Sequence, residues 1–155
     1  MFAEHESTED PILETVEPVI SGLGYTLVDI QSKFVRDRLR VIIVIYRESG
    51  ITVDDCAAVH HAVQPRIEVL QDNRDVYLEV SSPGVDRKFR TNREFAVFKG
   101  RGARVLRGDN DQWVAGVIVE AKDGTVILEN DSGREAVAME LIRKARLDES
   151  QEVRH

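Results

Sequence analysis

Five residues near the middle of the chain have side chains suited to metal binding or catalysis. Cys56 and His60 are four residues apart, His61 follows directly, and Asp54 and Asp55 precede them. A cysteine and a histidine at this spacing share one face of a helix and could bind Zn²⁺. A structural zinc site needs three or four converging ligands, however, and Cys56 is the single cysteine. We therefore expect a cysteine in the apolar stripe, partly exposed histidines and no bound metal.

Nucleophilic catalysis and phosphate binding are also poorly supported by the residue patterns. Cys56 lies in an apolar helical stripe that points into the core, away from substrate. Ser81 and Ser82 precede a Pro-Gly pair, where hydroxyl groups commonly cap a turn. Gly100 and Gly102 form a bare G-x-G pattern without the strand-to-helix context of a phosphate loop. These patterns predict no catalytic residues and no cofactor.

Composition and charge restrict the classes of partner. The chain has 155 residues, of which 42% are hydrophobic and 32% charged, with a formal net charge of -7. Nonspecific nucleic-acid binding depends on phosphate neutralisation by Lys and Arg, so the whole chain is a poor polyanion binder. No apolar run is long enough to span a membrane, and the acidic start does not resemble a secretory signal. We expect a cytoplasmic protein without a membrane or small-molecule partner.

The charge is nevertheless unevenly distributed along the chain. Residues 4–17 contain six acidic side chains and no Lys or Arg, whereas residues 87–107 contain eight basic side chains and only Glu94 as an acid. A local basic patch could therefore contact RNA or an acidic surface although the molecule is acidic.

The first half of the chain alternates between helical and strand patterns. Residues 1–9 are expected to be a frayed tail. Asp10 is expected to cap the first helix, with Pro11 at its first position. Pro18 is expected to kink or shorten this helix. Residues 25–34 and 39–46 have strand patterns and are expected to pair antiparallel. Their connection carries Arg36, Asp37 and Arg38.

A second helix and a third strand complete this half. Thr52 and Asp55 have the spacing of a capping box, and apolar residues then recur every three or four positions through Leu70, with Pro65 expected to bend the helix. Residues 76–80 have a strand pattern. The order helix, strand, strand, helix, strand predicts an α+β domain with helices on one face of a small sheet.

Residues 77–90 separate this half from the next. The strand must end at Pro83 and Gly84, which have the types that a type II turn requires, with Gly84 at a positive φ. A basic segment follows the turn. Turn chemistry alone favours a solvated hinge over a binding element.

The second half has the pattern of short strands after one short helix. Thr91 and Glu94 repeat the capping-box spacing before that helix. Five strand patterns follow at residues 103–106, 112–120, 125–129, 134–138 and 142–147, separated by Asp, Asn and Gly turn residues. Short consecutive strands of this kind predict a small closed or nearly closed β-barrel. Trp113 is expected in its core or at its rim, and residues 150–155 are expected to be frayed.

The sequence resembles the bacterial ribosome maturation factor RimP family from about residue 12 to residue 147. Residues 77–87, YLEVSSPGVDR, are similar to the family signature nearly residue for residue. Residues 51–56 resemble the start of the family's second helix, and residues 144–147 its closing strand. Phe95, Phe98 and Gly100 are similar to the entry of its second domain.

The resemblance implies a fold, a function and a partner. It implies an N-terminal α-β-β-α-β domain at residues 10–88 and a C-terminal Sm-like small five-stranded β-barrel at residues 89–155. It implies a non-enzymatic, monomeric cytoplasmic factor that binds the immature small (30S) ribosomal subunit and assists its late maturation. The expected contacts are a ribosomal protein near the decoding region and 16S rRNA.

The expected partner-binding surface combines the signature segment with the closing strand. It comprises Ser81, Ser82, Pro83, Gly84, Asp86, Arg87, Lys88, Arg90, Lys144 and Arg146. Two other classes of function remain open at this point. One is a standalone Sm-like RNA-binding module that forms a ring, and the other is a metal-dependent enzyme built on Cys56, His60 and His61.

Overall fold

The structure, a computed structural model, describes residues 11–152 of the chain. These residues form two compact units, one ending at Pro83 and the other beginning at Gly84. We call them the N-unit and the C-unit. The expected tail at residues 1–9 and the expected cap at Asp10 lie outside the described residues, and the domain ranges 10–88 and 89–155 stay a prediction.

The N-unit has the predicted order of helices and strands. Its elements are α1 (Pro11–Gly22), β1 (Thr26–Val35), β2 (Arg38–Tyr46), α2 (Val53–Leu70) and β3 (Val76–Ser81). Strands β1 and β2 are antiparallel as predicted, and β3 pairs with β2 in parallel. The α+β class of the prediction is thereby confirmed.

The core of the N-unit lies between the two helices and the sheet β1-β2-β3. Val16, Ile20, Val59, Val63 and Ile67 from the helices are fully buried and belong to one cluster with apolar residues of the strands. The helical spacing of these residues is what places them on one face of each helix. The central strand β2 supplies most of the sheet's contribution, since Val41, Ile43 and Ile45 are fully buried.

Both prolines predicted to disturb the helices are accommodated within continuous helices. Pro18 lies inside α1 and Pro65 inside α2, and neither helix ends there. Proline side chains at both positions are exposed, so the rings do not compete with core packing. Of the two effects predicted at Pro18, a kink or a shortened helix, the shortening is wrong, because α1 continues to Gly22. The kink at Pro18 and the bend at Pro65 stay predictions. None of the helices in the described residues is long and apolar enough to cross a membrane.

The C-unit contains one short helix and five strands. Its elements are α3 (Arg93–Val97), β4 (Gly102–Arg107), β5 (Trp113–Lys122), β6 (Thr125–Asn130), β7 (Gly133–Ala138) and β8 (Ile142–Leu147), with 3₁₀ turns at Met139–Leu141 and Glu149–Glu152. The strands form one antiparallel sheet of order β7-β6-β5-β4-β8.

The prediction of a closed barrel is corrected by this strand order. Within residues 11–152, β7 and β8 are the two ends of the five-stranded sheet and are not paired with each other. The edge of β8 is instead paired with the chain near Lys88, through an antiparallel bridge to Arg146. The sheet therefore stays open.

The last described turn is ordered by contacts with β4, in contrast to the frayed end that the sequence predicts. The Glu152 carboxylate accepts hydrogen bonds from the Gly102 amide at 2.9 Å and from Arg101 Nε at 2.8 Å. A Cβ at Gly102 would lie 2.3 Å from the Asp148 carbonyl oxygen, so only glycine permits this approach. The predicted fraying is wrong for residues 150–152, and residues 153–155 lie outside the described residues.

Candidate partner-binding surface

The second part of the signature segment pairs with the closing strand β8. The Phe89 amide donates to the Ala145 carbonyl at 2.9 Å, and the Leu147 amide donates to the Arg87 carbonyl at 2.9 Å. Lys88 and Arg146 are directly opposite each other in this antiparallel bridge. Directly opposite residues share one face of a sheet, so two cations that are far apart in the sequence become neighbours.

A bulge in β8 brings two more cations to the surface. Leu106 of β4 pairs with Lys144, whereas the next residue, Arg107, pairs with Ile142, which leaves Arg143 as an extra residue. A bulge interrupts the alternation of side chains along a strand. Arg143 and Lys144 are consequently both exposed although they are adjacent in the strand.

These residues line a surface groove of about 390 Å³, which we call the basic groove. It is lined by Lys88, Phe89, Trp113, Arg143, Lys144, Ala145 and Arg146. Trp113 is 48% exposed, and its pairing partner Leu106 also pairs with Lys144, which places Trp113 on the same face as that lysine. A broad indole surface thus lies among four cationic side chains.

Three of the four cations have no acidic partner within the described residues. Lys88, Lys144 and Arg146 form no ion pair there, and the Arg146 guanidinium donates only to the Leu147 carbonyl at 3.3 Å. Arg143 pairs with Asp111 at 2.7 Å, but both side chains are more than half exposed. Exposed pairs of this kind are weak, so a partner can compete for Arg143. The groove offers concentrated positive charge on an acidic chain.

A neighbouring ion pair neutralises Arg104 and anchors the end of β8. Arg104 donates to the Asp148 carboxylate through Nε at 2.9 Å and Nη2 at 2.8 Å. Burial of the carboxyl favours its neutral form, but hydrogen bonds from Ser150 and Arg104 outweigh this effect and lower the pKa of Asp148 to about 2. Arg104 therefore serves the fold, while the groove cations remain available.

Aromatic packing holds the floor of the groove in place. The ring of Phe89 lies 5.0 Å from that of Phe95 in an edge-on arrangement and 5.4 Å from that of Phe98. Phe95 and Phe98 have no exposed surface. Phe95 and Phe98 resemble the entry of the family's second domain. They therefore support the segment that carries Lys88. Gly100 ends this stretch at φ +93°, a conformation that favours glycine.

Arg87 is held inside the C-unit by Glu94. Arg87 donates to the Glu94 carboxylate through Nε at 2.9 Å and Nη2 at 3.1 Å, and the two side chains are 13% and 0% exposed. The same carboxylate accepts from the Arg90 amide at 2.9 Å and the Thr91 amide at 3.1 Å. Glu94 thus forms one half of the predicted capping box, since Thr91 supplies no side-chain acceptor to α3. Arg87 positions the segment instead of presenting a free charge.

The remaining predicted site residues lie before and within the turn. Ser81 ends β3 opposite Val44, and Ser82 and Asp86 are exposed. The turn is closed by the Arg87 amide donating to the Gly84 carbonyl at 3.1 Å. Val85 and Asp86 are thus its central residues.

This position differs from the predicted type II turn. Gly84 does not have a positive φ, so the predicted role of its conformational freedom is wrong. The anchoring of Arg87 by Glu94 and β8 determines where the chain turns. Pro83 is half-buried, Gly84 is exposed and Arg90 is half-buried.

The residues first considered for metal binding have separate structural environments. Cys56 is partly buried against the N-unit core, and burial with the nearby Asp55 charge raises the pKa of its thiol, which disfavours the thiolate. A ring nitrogen of His60, Nε2, lies 3.1 Å from the Leu78 carbonyl oxygen and donates to it, while His61 is exposed. Asp55 caps α2.

The sequence did not predict that Trp113 and Arg143 belong to the surface. The signal for Arg143 is the basic run RKAR at residues 143–146. Trp113 has no aromatic neighbour in the sequence, and only the antiparallel register of β4, β5 and β8 brings it to the cations.

A comparison with known protein families supports the resemblance on independent grounds. The family model described as the RimP N-terminal domain matches residues 15–86. This range covers the N-unit from α1 to the turn after β3 and includes the first part of the signature segment. The basic groove lies in the following part of the chain.

Proposed function

Because the chain carries the N-terminal domain of the RimP ribosome maturation factor family, we propose that it is a non-enzymatic assembly factor that binds the immature small ribosomal subunit in the cytoplasm and assists its late maturation. The match at residues 15–86 is the observation that carries this proposal. The basic groove supports it because the groove presents cations and an exposed aromatic ring.

The basic groove is the contact surface that we propose for the small subunit. Lys88, Lys144 and Arg146 can neutralise phosphate groups or acidic side chains, and Trp113 can stack on a base or pack on an apolar residue. The partner is a ribosomal protein near the decoding region together with adjacent 16S rRNA. Local positive charge on a chain of net charge -7 favours one specific contact over general RNA binding.

The other predicted contact residues enter this proposal through the shape of the segment. Gly84 and Asp86 are exposed and lie shortly before Lys88 in the C-unit, so they extend the contact surface along the chain. Arg87 contributes by holding the segment against Glu94.

A monomer is the state that we propose, with the C-unit related to Sm-like domains. The five antiparallel strands support that relationship. A ring requires each copy to offer two free sheet edges for head-to-tail pairing. Here the edge of β8 is paired with the chain at Lys88. A mass measurement that gives one chain per particle is expected, and a closed oligomer would favour the standalone RNA-binding module.

The proposal is tested by ribosome profiles of cells that lack the protein. We expect accumulated free small subunits that contain unprocessed small-subunit rRNA, because an assembly step is slowed. The wild-type chain should restore the normal profile. A variant with Lys88→Glu and Lys144→Glu should fail to restore it, because both exposed groove lysines are reversed.

The matched control is a variant with Lys99→Glu and Lys122→Glu, two exposed lysines of the same unit outside the groove. It has the same net charge as the groove variant and should restore the profile. Arg87 is unsuitable for this test because its reversal would disrupt the buried pair with Glu94. A normal profile without the protein contradicts the proposed function, and equal restoration by both variants contradicts the role of the groove.

A further inference from the structure

The guanidinium of Arg107, at the end of β4, joins two carboxylates from different parts of the C-unit. Its Nε and Nη2 atoms donate to Asp109 at 3.1 Å and 3.0 Å, and Nη1 donates to Glu135 at 2.9 Å. Asp109 lies between β4 and β5, in residues 108–112, which we call the β4–β5 turn, whereas Glu135 lies in β7. The Arg107 side chain is 18% exposed, less than either carboxylate. A planar guanidinium has donors in fixed directions, so it holds these two carboxylates at a set angle.

Glu135 reaches Arg107 only because the sheet of the C-unit is strongly curled. β7 is three strands away from β4, which is about 14 Å in a flat sheet. Through β6, Glu135 is level with Ile118 of β5, whereas Arg107 follows the residue opposite Trp113. This offset along β5 adds about 17 Å, so a flat sheet would separate the two residues by more than about 20 Å. The ion pair therefore crosses the open side of the curled sheet, from β4 to β7.

The β4–β5 turn forms one wall of the basic groove. Asp111 of this turn pairs with Arg143 at 2.7 Å. A Cβ at Gly108 would lie 2.9 Å from Arg143 Cγ, so the turn packs directly on that side chain. Trp113 follows the turn in the chain and also lines the groove. The position of the turn therefore sets the positions of two residues of the groove.

β7 is the most exposed strand of the C-unit. Residues 133–136 are exposed, and within residues 11–152 the strand pairs with β6 alone. Edge segments with few buried contacts open at a lower free energy than the rest of a fold. The ion pair with Arg107 holds β7 from the side opposite β6, so opening of β7 across the open side of the sheet must break it.

We propose that Arg107 positions the wall of the basic groove and couples it to β7. When β7 opens, Nη1 loses Glu135, and the guanidinium is free to turn together with Asp109. The β4–β5 turn then loses its fixed position, and with it Trp113 and Arg143. The groove is consequently complete only while β7 is closed. This inference goes beyond the proposed function, because it concerns a coupling inside the C-unit and does not depend on what the groove binds.

The test uses Trp113 as a probe of the groove wall, because it is the single tryptophan of the chain. Glu135→Gln removes the charge at β7 with little change in the size of the side chain. In the full chain it should speed hydrogen exchange of the β7 amides about fivefold, the usual effect of losing a partly exposed ion pair. It should also raise acrylamide quenching of the Trp113 fluorescence, although Glu135 lies outside the groove.

A double-mutant cycle shows whether the effect on Trp113 passes through Arg107. In an Arg107→Met background, Glu135→Gln should change the quenching of Trp113 no further, because the connection is already lost. Asp109→Ala cuts the same connection at the turn. It provides a second background in which Glu135→Gln should leave Trp113 unaffected, and it keeps the test decisive if Arg107→Met does not fold.

The matched control is Glu120→Gln, which makes the same change of charge in the same unit. Glu120 pairs with Lys99 at 3.4 Å, and the two side chains are 47% and 56% exposed. The control should leave the hydrogen exchange of β7 and the quenching of Trp113 at their wild-type values. Circular dichroism of each variant checks that the fold is retained.

Two results would overturn the inference. The first is unchanged quenching of Trp113 in the Glu135→Gln variant, and the second is an equal change with and without the Arg107 guanidinium. Both measurements use the isolated protein and are independent of the ribosome profiles. The coupling can therefore fail while the proposed function stands, and the proposed function can fail while the coupling stands.

Discussion

Glu94 is the residue whose role depends most on its surroundings. Its side chain has no exposed surface and accepts four hydrogen bonds, two from Arg87 and two from backbone amides. A buried carboxylate is tolerated only when it is paired and hydrogen-bonded, and here both conditions are met. The pair holds the chain between the turn and α3, which is the segment that carries Lys88.

Removal of the Arg87 guanidinium should lower the free energy of unfolding. Arg87→Met is expected to destabilise the protein by about 3–5 kcal/mol, because a buried charge loses its partner. The measurement is urea unfolding. Arg134→Met in the same unit is the control, since its pair with Glu129 spans 3.6 Å and is largely exposed, and it should cost about 1 kcal/mol or less. Equal losses in the two variants would contradict the role of burial.

Several chemically attractive side chains of the N-unit are engaged in its fold. Cys56 has a raised thiol pKa in the N-unit, and the His60 ring is bound to a backbone carbonyl of β3. Gln64 donates in the same way to the Val76 carbonyl at 3.2 Å. Within residues 11–152 β3 is an edge strand of its sheet, and these polar side chains bind two of its backbone carbonyls, which an edge strand otherwise offers to other strands.

At the scale of elements, the start of α2 connects the helix to the sheet. Thr52 and Asp55 form the predicted capping box, with the Asp55 amide donating to Thr52 Oγ1 at 3.1 Å and the Thr52 amide donating to the Asp55 carboxylate at 2.7 Å. The Tyr25 hydroxyl also donates to Asp55, and Arg47 does so at 2.9 Å. The cap therefore joins α2 to residues beside β1 and β2.

The hydrogen bond from Tyr25, followed by that from the Thr52 amide, lowers the pKa of Asp55 to about 2 from its usual 3.8. A lowered folded-state pKa stabilises the fold above about pH 4, and this contribution is lost as the pH falls towards 2. Asp55→Asn should therefore destabilise the protein at neutral pH, and the difference from the wild type should shrink in acid.

Urea unfolding at a series of pH values between neutrality and acid measures this effect. Asp54→Asn is the matched control, because it makes the same charge change at an exposed neighbouring residue. It should alter stability much less than Asp55→Asn. A deficit for Asp55→Asn that stays constant with pH would contradict the assignment of the pKa shift.

The bulge of β8 and the pairing of the Lys88 segment are the elements that build the groove. The bulge exposes Arg143 together with Lys144, and the bridge adds Lys88 beside Arg146. Each element alone supplies only one or two cations. The bulge and the Lys88 segment together, next to Trp113, form a surface that neither would form alone.

At the scale of the whole molecule, a net charge of -7 opposes binding to nucleic acid in general. The basic groove offers a local exception. A factor with this distribution of charge can bind a specific surface and still dissociate from bulk RNA, because long-range repulsion acts wherever the local fit is absent.

Salt dependence measures the balance between these effects. Co-sedimentation with immature small subunits should weaken as salt rises, and Lys88→Glu with Lys144→Glu should reduce the slope of log affinity against log salt by about 1.4–1.8 if both lysines contact phosphate. The Lys99→Glu and Lys122→Glu variant should keep the wild-type slope. Tight, salt-independent binding to random duplex RNA would contradict the role assigned to the overall negative charge.

Local signals in the sequence determined the helices and strands of both units. The periodicity of apolar residues predicted α1, α2 and the strands, and the spacing of Thr52 and Asp55 predicted the cap of α2. These features depend on contacts between residues a few positions apart, so the order of side-chain types is enough to specify them. The same signals predicted an α+β fold. The sequence motifs carried the family resemblance, which the family comparison supports.

Only the tertiary structure decided the turn after Gly84, the open sheet, the exposure of Trp113 and the pairing of Arg87 with Glu94. Each depends on which distant segment of the chain pairs with a sheet edge or with a charged side chain. The bridge between Lys88 and Arg146 is the clearest case, because it occupies the β8 edge and creates the groove at once. Propensity and spacing carry no information about such pairings, since their free energy comes from burial and hydrogen bonds that exist only after the chain has folded.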